Sequence, residues 1–153
     1  MTTNHHDHAP ARGCCAEHTA FRQRATAALN LAIANDMDGA RAAVQDLQAH
    51  HGPGALTAAL LTWVDLMATR TPGTDHSTWA NLTAAEAAAA TDPVTSWAIQ
   101  VTIARLARDR PTFEALRAAV KGPELVEAYV MGLLALIATH LSTHPRADET
   151  RNP

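Results

Sequence analysis

The chain has 153 residues, enough for one domain that buries its own core without disulfide or metal staples. Hydrophobic residues make up 47% of it and aromatics only 4%, with alanine supplying much of the apolar content, a composition that favours helix over strand. The formal net charge of −3 provides no basic stripe of the kind that displaces counterions, which argues against DNA or RNA as a partner.

Residues 1–15, MTTNHHDHAPARGCC, show no helical period and contain Pro10 and Gly13, so they read as a flexible arm. Residues 1–20 are polar, His-rich and lack the apolar centre of a secretory signal, which predicts a cytoplasmic protein. An all-helical domain is expected over residues 16–143, in halves of about 16–70 and 78–143, followed by a polar tail at 144–153. The first helix is predicted from Ala16, with Phe21, Ala25, Ala28, Leu29, Ala32 and Ile33 recurring at three- and four-residue spacing.

Asn35 to Gly39 breaks that pattern, and Asp38 is placed to cap a second helix striped by Ala40, Val44 and Leu47. Asn35, Asp36, Ala40 and Val44 give this stretch a register that resembles the second helix of tetratricopeptide-type repeats. Arg24, Ala28 and Leu31 stand where that motif has its aromatic and glycine positions, and its period does not continue down the chain. The resemblance implies only a style of helix-pair packing.

Gly52 then reads as a stop and Pro53 as a first-turn residue of a third helix, striped by Leu56, Leu60, Trp63 and Met67. The segment TPGTDHS at 71–77 is a linker. Thr83 and Glu86 form a capping box for a short alanine-rich helix. Asp92-Pro93 opens the next helix, apolar on two sides through Val94, Trp97, Val101 and Ala104 and through Ile99, Ile103 and Leu106, and Arg110-Pro111 is expected to end it. Phe113, Leu116 and Val120 line a brief helix before Gly122-Pro123 launches the most apolar one.

Residues 128–139 of that last helix carry no charge, which predicts the central helix of the core. The uncharged run is shorter than the ~20 residues a bilayer span needs, so no membrane partner is expected. Residues 52–68 align with 122–138 at a constant offset, sharing Gly-Pro, Ala58 with Ala128, Leu66 with Leu136 and Ala68 with Ala138. Arg41 to Val44 is echoed by Arg117 to Val120 at a slightly larger offset. The predicted fold is therefore all-α, a single bundle or short α-α repeat of six to seven helices in two related halves.

No nucleophile elbow, phosphate loop or pair of acids on an apolar face occurs, so a non-catalytic module presenting a groove to a protein or peptide, or to a second copy of itself, is expected. Trp63 and Trp97 are candidates to line that groove, with core packing as the alternative role, and Trp79 belongs to the same set. Asp65 is the one acid inside an apolar helix. It is either a buried polar anchor for a small molecule between the halves or, with Thr62 and Thr69, part of a narrow stripe facing water.

A second function class is metal binding, in which His5, His6, His8, Cys14, Cys15 and His18 close over a zinc-like ion, Cys14 and His18 sharing a face if the helix begins early. Paired zinc-finger spacing is absent, and ordinary cytosolic thiols on a His-rich arm are the competing description. His140 with His144, and His50 with His51, sit at helix C-termini where cationic side chains favour the dipole. Arg105, Arg108 and Arg110 read as a solvated helix end.

Overall fold

The computed structural model of the protein describes residues 12–71, 86, 88 and 91–143, and the regular elements among them are all helical. These are α1 (Arg12–Ile33), α2 (Met37–His51), α3 (Ala55–Arg70), α4 (Pro93–Leu106), α5 (Arg110–Ala119) and α6 (Pro123–Thr143). Glu86 and Ala88 are helical, while Thr83 and Trp79 lie outside the described residues. α1 starts at Arg12 rather than near Ala16, because each residue added to a packed helix gains a hydrogen bond at no further nucleation cost.

The helix ends follow from local chemistry. At the end of α1 the Asn35 amide donates to the Ala32 carbonyl at 3.0 Å and the Asp36 amide to the Leu31 carbonyl at 2.9 Å. Asn35 takes the left-handed φ of 62° that this termination requires. The end of α4 repeats the arrangement, Arg108 donating to Arg105 at 3.2 Å and Asp109 to Ala104 at 2.8 Å, with Arg108 at φ 57°.

The next residue caps the following helix in both places. The Asp36 carboxylate accepts from the Gly39 amide at 2.9 Å, and the Asp109 carboxylate accepts from the Thr112 amide at 3.1 Å. The cap of α2 is thus Asp36 and not Asp38, which sits in the first turn, where its charge favours the helix dipole. Pro111 opens α5 instead of ending α4, since its missing amide hydrogen is unneeded in a first turn. Pro53 differs the other way: α3 begins at Ala55, leaving Pro53 in the turn after Gly52.

α6 packs on α1, α3 and α4, and α3 packs on α1, α2, α4 and α6. The centre is therefore a pair of helices and not α6 alone. Leu60, Trp63, Val64 and Met67 of α3 and Val130, Leu133, Leu134 and Ile137 of α6 are all buried. Each such side chain contributes roughly 1.5–3 kcal/mol. Helix propensities differ by only some tenths of that per residue, so packing decides this arrangement. α6 spans 21 residues, beyond its uncharged run, and by length and composition alone could cross a membrane; here its apolar stripe packs against three helices.

Gly132 lies where α6 packs against the first turn of α4, and a Cβ at that position would run into Cγ1 of Val94. The small residue is what lets the two backbones approach.

Replacing α1, α2 and α3 by α4, α5 and α6 reproduces nearly the whole packing pattern: first on second, first on third, third on third, and the first helix of each set on the third of the other. The seam of α2 on α3 is the exception, having no comparable seam between α5 and α6. With Asp36 and Asp109 aligned, Arg41 falls opposite Glu114, so the Arg41–Val44 echo at Arg117–Val120 is out of step with the helix pair.

Candidate functional site

α5 borders two openings. Its C-terminal turns, with α4 and the first turns of α6, wall a groove of about 430 Å³ lined by Trp97, Gln100, Leu116, Val120, Leu125 and Tyr129, among others. Leu125 is 55% exposed, the one large hydrophobic residue among the described residues to be so exposed. The Trp97 ring meets Tyr129 edge to face at 5.3 Å, and its Nε1–H donates to the Leu116 carbonyl at 2.9 Å. That bond ties α5 to α4; the indole itself is a core residue, 7% exposed, that also borders the groove. Leu116 and Val120, expected to line this brief helix, are half-buried: they pack against the core and also line the groove.

The N-terminal turn of α5 borders a second opening, a cleft of about 680 Å³ between α3, α4 and α5. Leu61, Ala104, Leu106 and Phe113 supply apolar lining, and Asp65, Arg105, Arg108, Asp109, Arg110 and Glu114 supply charge. Arg105 grips Asp65 with both prongs of its guanidinium, Nε to Oδ1 at 3.1 Å and Nη2 to Oδ2 at 2.8 Å. The Asp65 hydrogen bond raises the Arg105 pKa further above its already high value, so the guanidinium stays charged.

The two carboxylates that cap helices beside these openings titrate low. Asp109 is held below the ordinary aspartate value chiefly by the Thr112 side chain and then by its amide, and Asp92, at the start of α4, chiefly by the Thr95 hydroxyl.

Comparison with protein families, with curated proteins and with solved structures returns no match. The chemistry of the two openings therefore rests on their own residues.

Trp63 lines neither opening. It is fully buried and its Nε1–H donates to the Ala25 carbonyl at 2.7 Å, which makes it a pin between α3 and α1. An apolar stripe alone cannot separate a groove tryptophan from a core one, since both recur at helical spacing. Asp65 is not a buried base: its side chain is 54% exposed and paired with Arg105. Thr62 and Thr69 return their hydroxyls to the helix, donating to Ala58 and Leu66 carbonyls at 2.8 and 3.0 Å. With His18 and Arg22 of α1 these residues and Asp65 border a hollow of about 270 Å³.

His5, His6 and His8 lie outside the described residues, and Cys14 and His18 fall one turn apart on the α1 backbone. Among the described residues no three His, Cys, Asp or Glu side chains gather as a metal site. His50 and His51 are engaged locally, His50 with Asp46 at 3.2 Å and His51 as acceptor from Arg24 at 3.4 Å and edge partner of Phe21. His144 lies outside the described residues, and His140 is in the last turn of α6, as its helix-terminal reading expects.

Sequence patterns missed Leu116, Leu125 and Tyr129 as a surface, and Arg108 and Arg110 as members of one cleft. The only available signal was the arginine at Arg108, in a position before an Asp cap where the first half has Asn35.

Proposed function

We propose that the protein is a non-catalytic binding module whose α4–α5–α6 groove receives an amphipathic helical segment of a protein or peptide. One observation carries this: the α2–α3 seam is closed by helix against helix, while its counterpart is open and lined by Trp97, Leu116, Val120, Leu125 and Tyr129. A helix presenting apolar residues at three- and four-residue spacing is a shape that lays its apolar face into a groove of this kind. Aromatic walls beside an exposed leucine are the composition of a binding hot spot.

The same comparison supports building the chain from two related halves. The matched turns at Asn35 and Arg108 and the matched caps at Asp36 and Asp109 agree with it. So does the burial of Leu60, Trp63, Val64 and Met67 in step with Val130, Leu133, Leu134 and Ile137.

Selection of helical peptides from a display library against the full chain, followed by titration of the winners, tests the groove. Leu125→Asp and Tyr129→Ala should each weaken the selected peptides about tenfold or more while leaving the helical content unchanged. Winners that bind both variants as tightly as the parent would show that the groove is not the docking surface. Sedimentation of the parent and Leu125→Asp proteins separates a second copy from a foreign partner: loss of a dimer in the variant would identify the occupant as another chain of this protein.

A further inference from the structure

We propose that the cleft between α3, α4 and α5 binds a small organic anion, a carboxylate or phosphate group carried on an apolar body. Three arginines of one turn, Arg105, Arg108 and Arg110, border a cleft whose apolar lining includes Leu61, Leu106 and Phe113. The cleft has a volume of about 680 Å³, room enough for a small organic molecule.

Three acids share the lining with the three arginines, so its formal charge is balanced, but each acid is engaged by a partner of its own. Asp65 is clamped by Arg105, Asp109 caps α5 through Thr112, and Glu114 is held at 2.8 Å by Arg117, which is not a lining residue. Arg108 and Arg110 make no ion pair among the described residues. Two exposed arginines, whose forked donors match a carboxylate or a phosphate, thus border the cleft without an ion-pair partner among the described residues.

The backbone of Arg108 is the second observation. It occupies a left-handed position that favours glycine or asparagine, and the matching turn of the first half places Asn35 there. An arginine at this position gives up backbone stability, and it adds a third arginine to the lining of the cleft. Asp65, on this view, competes with the ligand for Arg105 instead of anchoring it.

The site shares no lining residue with the groove of the proposed peptide, so the two succeed or fail separately. Calorimetric titration of the full chain with octanoate, octyl phosphate, octanol and inorganic phosphate, with amide chemical shifts to locate the site, is the test. Octanoate or octyl phosphate should saturate with shifts confined to the α4–α5 turn and α3, and the stronger of the two identifies the head group. Octanol, lacking the charge, and inorganic phosphate, lacking the apolar body, should bind about tenfold more weakly or worse.

Arg108→Gly should lower the affinity about tenfold without lowering the thermal midpoint, since glycine accepts the left-handed turn. Arg110→Gln makes the same test away from that turn. Asp65→Asn should leave anion binding equal or tighter. Failure of both anionic probes to saturate at millimolar concentration overturns the proposal. So does octanol binding as well as octanoate, inorganic phosphate binding as well as octyl phosphate, undiminished binding by both arginine variants, or loss of binding in Asp65→Asn.

Discussion

Asp92 and Asp109 show how single residues decide where helices begin. Each carboxylate accepts from an amide of the helix it starts and from a nearby threonine, and each is thereby stabilised in its charged form. A depressed folded-state pKa contributes stability above the unfolded value and loses it as pH falls through the folded one. The contribution of both caps should thus disappear on acidification below about pH 4. Thermal midpoints measured from pH 7 to pH 2 should fall less steeply in Asp92→Asn/Asp109→Asn, because asparagine caps without titrating. Identical slopes for parent and variant would mean that the acid sensitivity resides elsewhere. At the same scale, position 36 shows why a sequence pattern errs by a turn. Asp36 and Asp38 are both capping residues by type, and only the left-handed Asn35 before it determines that Asp36 is the one used.

At the scale of elements, the crossing of α4 and α6 is set by Gly132 against Val94. Gly132→Leu should cost about 1–3 kcal/mol by overfilling the crossing. Val94→Ala in the same chain should recover part of the loss, a coupling that chemical denaturation of the two single variants and the double variant would measure. An additive result would place Gly132 outside a tight crossing. The apolar stripes of these helices were legible because a 3.6-residue period is written in consecutive sequence: Ala25, Ala28, Leu29 and Ala32 of α1 and Leu56, Leu60, Trp63 and Met67 of α3 are buried as their spacing predicts. The openings were not legible, because their walls come from separated elements. Asp65 meets Arg105 across α3 and α4, and Trp97 meets Tyr129 across α4 and α6. No local period encodes which stripe stays uncovered, and Leu116 carries the same spacing whether it packs or lines a groove.

For the molecule as a whole, the α3–α6 pair holds the other helices by unequal grips. α1 and α4 pack on both members of the pair, α2 packs on α1 and α3, and α5 packs chiefly on α4. α5 is also the shortest of the six helices at 10 residues and has one buried residue, Phe113. Helices with so little apolar contact open on their own, ahead of the global transition. Amide hydrogen exchange should accordingly be fastest, among the helix interiors, in α5 and slowest in α3 and α6. Protection of α5 equal to that of the central pair would show instead that the bundle opens as one unit. Because α5 walls both the groove and the cleft, a ligand bound in either one would restrain it before the other arrived. Were both proposed ligands to bind, linkage would make the effect mutual: whatever factor the anion added to peptide affinity, the peptide would add to anion affinity.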